Sequence, residues 1–182
     1  KRKLLDMAQA NALELLAKVK TPGGEDLVEL ARVTLRLRSL PRRIEGMDIS
    51  NLGGRMAVGA TVSFVDGLSR REGYRSYRIR ETEGIDDYGM MSEVASRRLG
   101  MGDPPDLLLV DGGRGHLSAV KRAIDRSGFA DKVEVVSIAK EEGGGGGDKI
   151  YLQGRKNPLS LDGDHPVLLL LMRIRDEAHR RA

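Results

Sequence analysis

Pro105-Asp106-Leu107-Leu108-Leu109-Val110-Asp111-Gly112-Gly113-Arg114-Gly115-His116-Leu117, residues 105–117, is the stretch on which the fold turns. Leu107 to Val110 is apolar at every position, so it has no side suited to water. That pattern fits a strand buried on both faces of a sheet, as parallel strands are. Gly112 and Gly113 then provide a turn, and His116 to Arg126 reads as a helix with Gly128 just past its end. Strand, glycine turn and helix together predict an α/β unit.

Downstream, Val133 to Ala139 reads as a second buried strand. Glu141-Glu142 and the five glycines Gly143 to Gly147 form a loop. A short strand over Lys149 to Leu152 follows. Asp164-His165-Pro166 opens a last helix that runs to Ala182, with Asp164 capping and the proline in the first turn. Upstream, Asp86 or Asp87 caps a helix with Met90, Met91, Val94 and Leu99 on its inner side. Before it, Ile44 to Ser50, Arg55 to Val65 and Tyr74 to Arg80 alternate like strands. The turns Asn51 to Gly54 and Asp66-Gly67 join them into an antiparallel meander. Residues 1–20 and Glu25 to Leu37 read as helices separated by Thr21-Pro22-Gly23-Gly24. Residues 1–40 are therefore taken as a helical lead-in or linker, and 41–182 as the main domain. The expected fold is a mixed α/β sheet, an antiparallel meander plus parallel strands, flanked by helices.

Composition narrows the function classes. A chain of 182 residues fits one domain and has no cysteine, which rules out disulfides and thiolate zinc sites. Three histidines, His116, His165 and His179, are too few and too scattered for an all-histidine metal cage. The longest apolar run, Val167 to Met172, is far below the roughly 20 residues of a membrane helix. Residues 1–6 lack the apolar core of a signal peptide, and the expectation is a cytosolic domain without a membrane partner. Lysine and arginine total 31 against 27 acids, a net charge of +4, and 22 of the 31 are arginine. Guanidinium forks bind phosphate oxygens two at a time, so this bias suits a nucleic acid, although a solvated surface accounts for +4 equally well. Aromatic residues are 3% of the chain, so base stacking is expected to contribute little.

Two carboxylates stand out. Asp48 lies within an otherwise apolar strand and Asp111 ends a buried one. Buried carboxylates are rare unless paired or bound to metal. If their strands are neighbours, both face one cleft at the strand ends, the usual ligand position in open α/β sheets. Hard oxygen ligands of this kind suit Mg²⁺ or Mn²⁺, which can activate water against a phosphodiester. The structural alternative has Asp48 bonded to an arginine and Asp111 capping the glycine turn. Gly112 to Gly115 also admits a phosphate-cradle reading, but the full GxGxxG and GK[ST] patterns are absent. Leu168, Met172, Arg175 and His179 share one face of the last helix. On spacing alone His179 is either a ligand or base at the sheet rim or a helix-end histidine beside Asp176. Asp86 and Asp87 read as caps, His116 as a surface residue and His165 as structural.

The segments IEGMDIS (44–50), DDYGMM (86–91), PDLLLVDGGRGHL (105–117), SIAK (137–140) and RIRDEAHRRA (173–182) resemble the C-terminal nuclease half of the UvrC family, and KRKLLDMAQANALELL (1–16) resembles the helix before it. That family supplies the incision subunit of bacterial nucleotide excision repair. The resemblance implies a ribonuclease H-like fold and a metal-dependent 5′ incision in damaged double-stranded DNA, with Asp48, Asp111 and His179 as catalytic metal ligands for Mg²⁺ or Mn²⁺. It adds Asp87 as a further catalytic carboxylate. Arg114, Lys140 and Arg175 are the candidate DNA contacts. The implied partners are UvrB, through segments outside this chain, with UvrA acting upstream. Asn51 stands where many relatives carry histidine, and His116 where glutamine is usual. The family's helix-hairpin-helix module and GIY-YIG nuclease are not in the sequence, so it reads as one domain of a larger protein. Two other readings stay open, a catalytically silent nucleic-acid-binding domain and a nucleotide-binding domain that uses the DGGRG loop.

Overall fold

A computed structural model describes residues 23–52, 56–80, 86–140 and 147–182. The helix expected over residues 1–20 and most of the glycine tract lie outside those residues. The described chain runs α1 (Gly24–Leu35), β1 (Arg43–Leu52), β2 (Met56–Val65), β3 (Leu68–Ser69), a single 3₁₀ turn (Arg71–Gly73) and β4 (Arg75–Arg78). It continues through α2 (Asp87–Gly100), β5 (Leu107–Asp111), α3 (Arg114–Ser127), β6 (Glu134–Ala139), β7 (Lys149–Leu152), β8 (Leu159–Ser160) and α4 (Pro166–Arg181).

The strands form one eight-stranded sheet in the order β3-β2-β1-β5-β6-β7-β8, with β4 also pairing β2. β1, β5 and β6 are parallel neighbours, and the flanking pairs are antiparallel. Asp66 and Gly67 both have positive φ, 49° and 78°, between the paired residues Val65 and Leu68. Left-handed backbone at both central positions makes a type I′ hairpin, whose twist matches that of its strands. The meander carries two short features that period-2 alternation does not reveal, β3 and the 3₁₀ turn.

β5 shows why an all-apolar strand sits at the centre. Leu107 and Leu109 enter the core under α1 and α4, while Leu108 and Val110 enter the core under α2 and α3. One layer contains Leu27, Ala31, Leu168, Leu171 and Ile174, and the other Met91, Val94, Leu117, Val120 and Ile124. Each leucine, isoleucine, valine or methionine among them contributes about 1.5–3 kcal/mol on full burial. Residues of α1, which lies within the sequence read as a lead-in, are thus part of the same core as α4.

Asp86 is the N-cap of α2, its carboxylate accepting from Gly89 N at 3.0 Å. The last helix is capped by His165 rather than Asp164. Its Nδ1 accepts from Val167 N at 3.2 Å, with Pro166 in the first turn. A ring nitrogen one residue before the proline reaches the free amide, whereas Asp164 is exposed.

Candidate metal centre and active site

β1 places Asp48 by simple alternation. Ile44 and Gly46 face α4, and Asp48 is the next residue on that side. β5 does the same through Leu107 and Leu109, with Asp111 next. Because Met47 is registered with Val110 in the parallel pair, the two aspartates lie side by side one step further on. α4 comes close enough to add a third group because residue 46 is glycine. A Cβ there would lie 2.5 Å from Ile174 Cγ2 and 3.1 Å from the Ile174 carbonyl. Five residues beyond Ile174, His179 Nδ1 lies 3.0 Å from Asp48 Oδ2. In the tautomer with hydrogen on Nδ1, the imidazole donates to that oxygen and leaves Nε2 outward.

Asp48, Asp111 and His179 each bring a ligand atom into a group whose members all lie within 4.8 Å of one another. Asp48 is buried, with a relative exposure of 8%, whereas the His179 side chain is 77% exposed. Burial first, and the neighbouring Asp48 charge second, push the Asp111 carboxyl up to about 6, against weaker opposition from Arg175 and His179. Among the described residues no arginine or lysine hydrogen-bonds either carboxylate. Two adjacent acids short of positive charge, with an imidazole alongside, form a donor set that fits a divalent cation such as Mg²⁺ or Mn²⁺. The arginine partner considered for Asp48 is not what the fold provides; the partner is His179.

The other expected site residues fall around this group. Asp87 is outside it, exposed in the first turn of α2. Lys140 is exposed just past β6, two residues beyond Ile138, the partner of Asp111. Arg175 lies on the α4 face close enough to lower the Asp111 pKa, but its guanidinium is already clamped. Nη1 donates to Asp148 at 2.5 Å and Nη2 to Asp176 at 2.9 Å. Arg114 is engaged too. It donates to the carbonyls of Arg155 (2.9 Å) and Lys156, and lies 5.5 Å over the Tyr151 ring. It therefore ties α3 to the turn after β7.

His116 is half-buried, in contrast to the surface position expected for it. Its ring meets Tyr88 edge to face at a centroid distance of 4.8 Å. Burial lowers its pKa, and the charges of Asp87 and Asp48 oppose that. Gly112 has φ 129°, and its missing Cβ leaves room for the His116 ring, 2.4 Å from where that carbon would sit. Two largely buried ion pairs have no local signature in the sequence. Asp148 lies between a glycine tract and Lys149, and nothing in its spacing links it to Arg175, 27 positions away. Glu45 occupies the α2-facing side of β1 and is held by Arg98 through two bonds of 2.6 Å.

Paired carboxylates on adjacent parallel strands, Asp48 within β1 and Asp111 at the end of β5, met by a histidine from the final helix, place the molecule among the ribonuclease H-like nucleases. The chain matches the model of the UvrC RNAse H endonuclease domain over residues 32–182, and it belongs to that family. It is 42% identical over 183 residues to UvrABC system protein C of Desulfotalea psychrophila, covering 97% of this chain and 30% of that protein. With its counterpart from Trichlorobacter lovleyi it shares 43% over 199 residues, covering 100% and 33%. The chain thus spans about a third of the length of the curated relatives it matches. Among solved structures it is similar to human ENDOV, with a TM-score of 0.45 and 14% identity over 85% of this chain and 94% of that one. Among the described residues, no helix is long and apolar enough to cross a membrane.

Proposed function

We propose that this chain is a divalent-metal-dependent DNA endonuclease domain that makes the 5′ incision of nucleotide excision repair. The observation that carries the reading is the convergence of Asp48, Asp111 and His179 within 4.8 Å. The three residues would hold Mg²⁺ or Mn²⁺. When bound, the ion supplies positive charge to a phosphodiester and acidifies water.

The chain's own residues set the rest. Rigid parallel strands fix the two carboxylates, so little reorganisation accompanies the reaction. Asp48 orients the His179 ring through Nδ1, leaving Nε2 to coordinate or to carry a proton. Arg175, held by Asp148 and Asp176, gives the site positive charge that does not depend on pH. Lys140 offers a point charge to a flanking phosphate, and Arg114 places the start of α3. Asp87 acts from the edge of the site. Damaged duplex DNA is the substrate, with UvrB the partner through other segments of a longer protein and UvrA upstream, in the cytoplasm. The relatives' place in a UvrABC system supports this.

The test is nicking of a labelled duplex carrying a bulky adduct. Strand cleavage that requires Mg²⁺ or Mn²⁺, stops in chelator and falls at least a hundredfold in Asp48→Asn supports the proposal. Salt-sensitive binding without cleavage, unchanged in Asp48→Asn, points to the silent nucleic-acid-binding domain.

A further inference from the structure

Tyr88 is more than half exposed, at 51%, the most exposed of six aromatic residues that are otherwise buried or half-buried. It is seated by packing that has no other evident purpose. Gly115 lies inside the first turn of α3, where its φ is not in the positive range and an alanine would favour the helix. A Cβ on Gly115 would lie 2.6 Å from Cε1, Cζ and the hydroxyl of Tyr88. The glycine costs the helix up to about 1 kcal/mol and makes room for the ring. The edge-to-face contact with His116 fixes the ring from a second side, and Gly112 in turn gives His116 its space. Two glycines of the DGGRG turn are thereby explained by the packing of two rings.

One ring connects Tyr88 to the metal centre: it touches His116, whose ring packs against Gly112, the residue after Asp111. Gly115 is four residues past Asp111, and the His116 ring that Tyr88 touches feels both Asp48 and Asp87. An exposed aromatic held rigid from two sides loses little freedom when a flat partner stacks on it. Taking the nuclease reading as its basis, we infer that Tyr88 is a stacking platform for a nucleobase flanking the scissile phosphate, one unstacked from its neighbour at the incision. The low aromatic content still means that stacking contributes little over most of the surface; here it acts at one point.

The experiment uses this chain with Ca²⁺ in place of Mg²⁺ and a nicked duplex carrying 2-aminopurine at successive positions. Wild type and Tyr88→Phe are expected to quench the probe at one position near the nick, while Tyr88→Ala loses that quench and binds about tenfold more weakly. Gly115→Ala, which displaces the ring while improving the helix, is expected to lose the quench as well. Replacing the stacked base by an abasic site should weaken wild type by the same factor and leave Tyr88→Ala unchanged. Equal affinity and equal quenching in wild type and Tyr88→Ala would overturn the inference and leave the nuclease reading standing. Wild type that neither binds nor nicks any duplex would remove both.

Discussion

Asp111 is the residue on which most depends. Its carboxyl sits near 6 in the folded chain against 3.8 for an ordinary aspartate. Between those values the folded state holds a proton that the unfolded state has lost, so this group makes stability fall as pH rises through that window, with the loss complete above about 6. Asp111→Asn is therefore expected to stabilise the metal-free chain at pH 7.5, by about 1 kcal/mol once the solvent reaching the group is allowed for, and to change little at pH 4. Thermal melts at the two pH values check this. Metal binding runs the other way. The ion has to displace that proton, so apparent Mn²⁺ affinity should climb as pH rises through about 6. His179 is exposed enough that His179→Ala should leave stability within about 0.5 kcal/mol while lowering cleavage by about 10²- to 10⁴-fold. A loss of fold in that variant would mean the histidine is a structural cap instead.

At the level of elements, the close contact of β1 with α4 holds the site together. Gly46→Ala puts a methyl into Ile174 and its carbonyl, so the helix has to move away. The expected result is a loss of about 1–3 kcal/mol in denaturant unfolding, together with weaker Mn²⁺ binding, because His179 moves with α4. Unchanged metal affinity in a destabilised Gly46→Ala would show that His179 is not needed to hold the ion. The strands that carry the carboxylates were legible from Leu107 to Val110 and from the alternation around Asp48, because burial on one or both faces writes itself as period. The parallel pairing of β1 with β5 was not, since register depends on partners 63 residues apart. Spacing placed His179 on the right face of the helix without saying what that face meets, and only the family resemblance pointed to it as a metal ligand. His165 in place of Asp164 as a cap is a difference of one residue that only backbone geometry decides.

For the whole molecule, polar groups in the core fix how the layers sit. Glu45 and Arg98 are buried on β1 and α2 with two short bonds, and Arg98 also donates to the carbonyls of Gly102 and Asp103. Arg98→Ala leaves Glu45 buried and unpaired, and a loss of about 3–5 kcal/mol is expected in unfolding experiments. Replacing both partners by apolar residues should recover most of it; failure to recover would assign the pair a role beyond stability. A sequence shows Glu45 as one charged residue in an alternating strand, and no local pattern reveals that its partner is 53 positions away. An arginine-rich composition suits a polyanionic partner, yet two of the three cations named as DNA contacts, Arg114 and Arg175, spend their guanidinium groups on internal contacts. Charge counts say how many cations there are, and folding decides which remain available.

Whether Asp48, Asp111 and His179 form one metal centre is decided by anomalous diffraction from Mn²⁺-soaked crystals of wild type and Asp111→Asn. Wild type is expected to show an anomalous peak about 2.0–2.4 Å from oxygens of Asp48 and Asp111, with His179 beside it, and the variant to lose it. A well-ordered site with no peak at saturating Mn²⁺ and a short duplex present, or a peak unaffected by Asp111→Asn, would contradict a metal centre formed by these three residues.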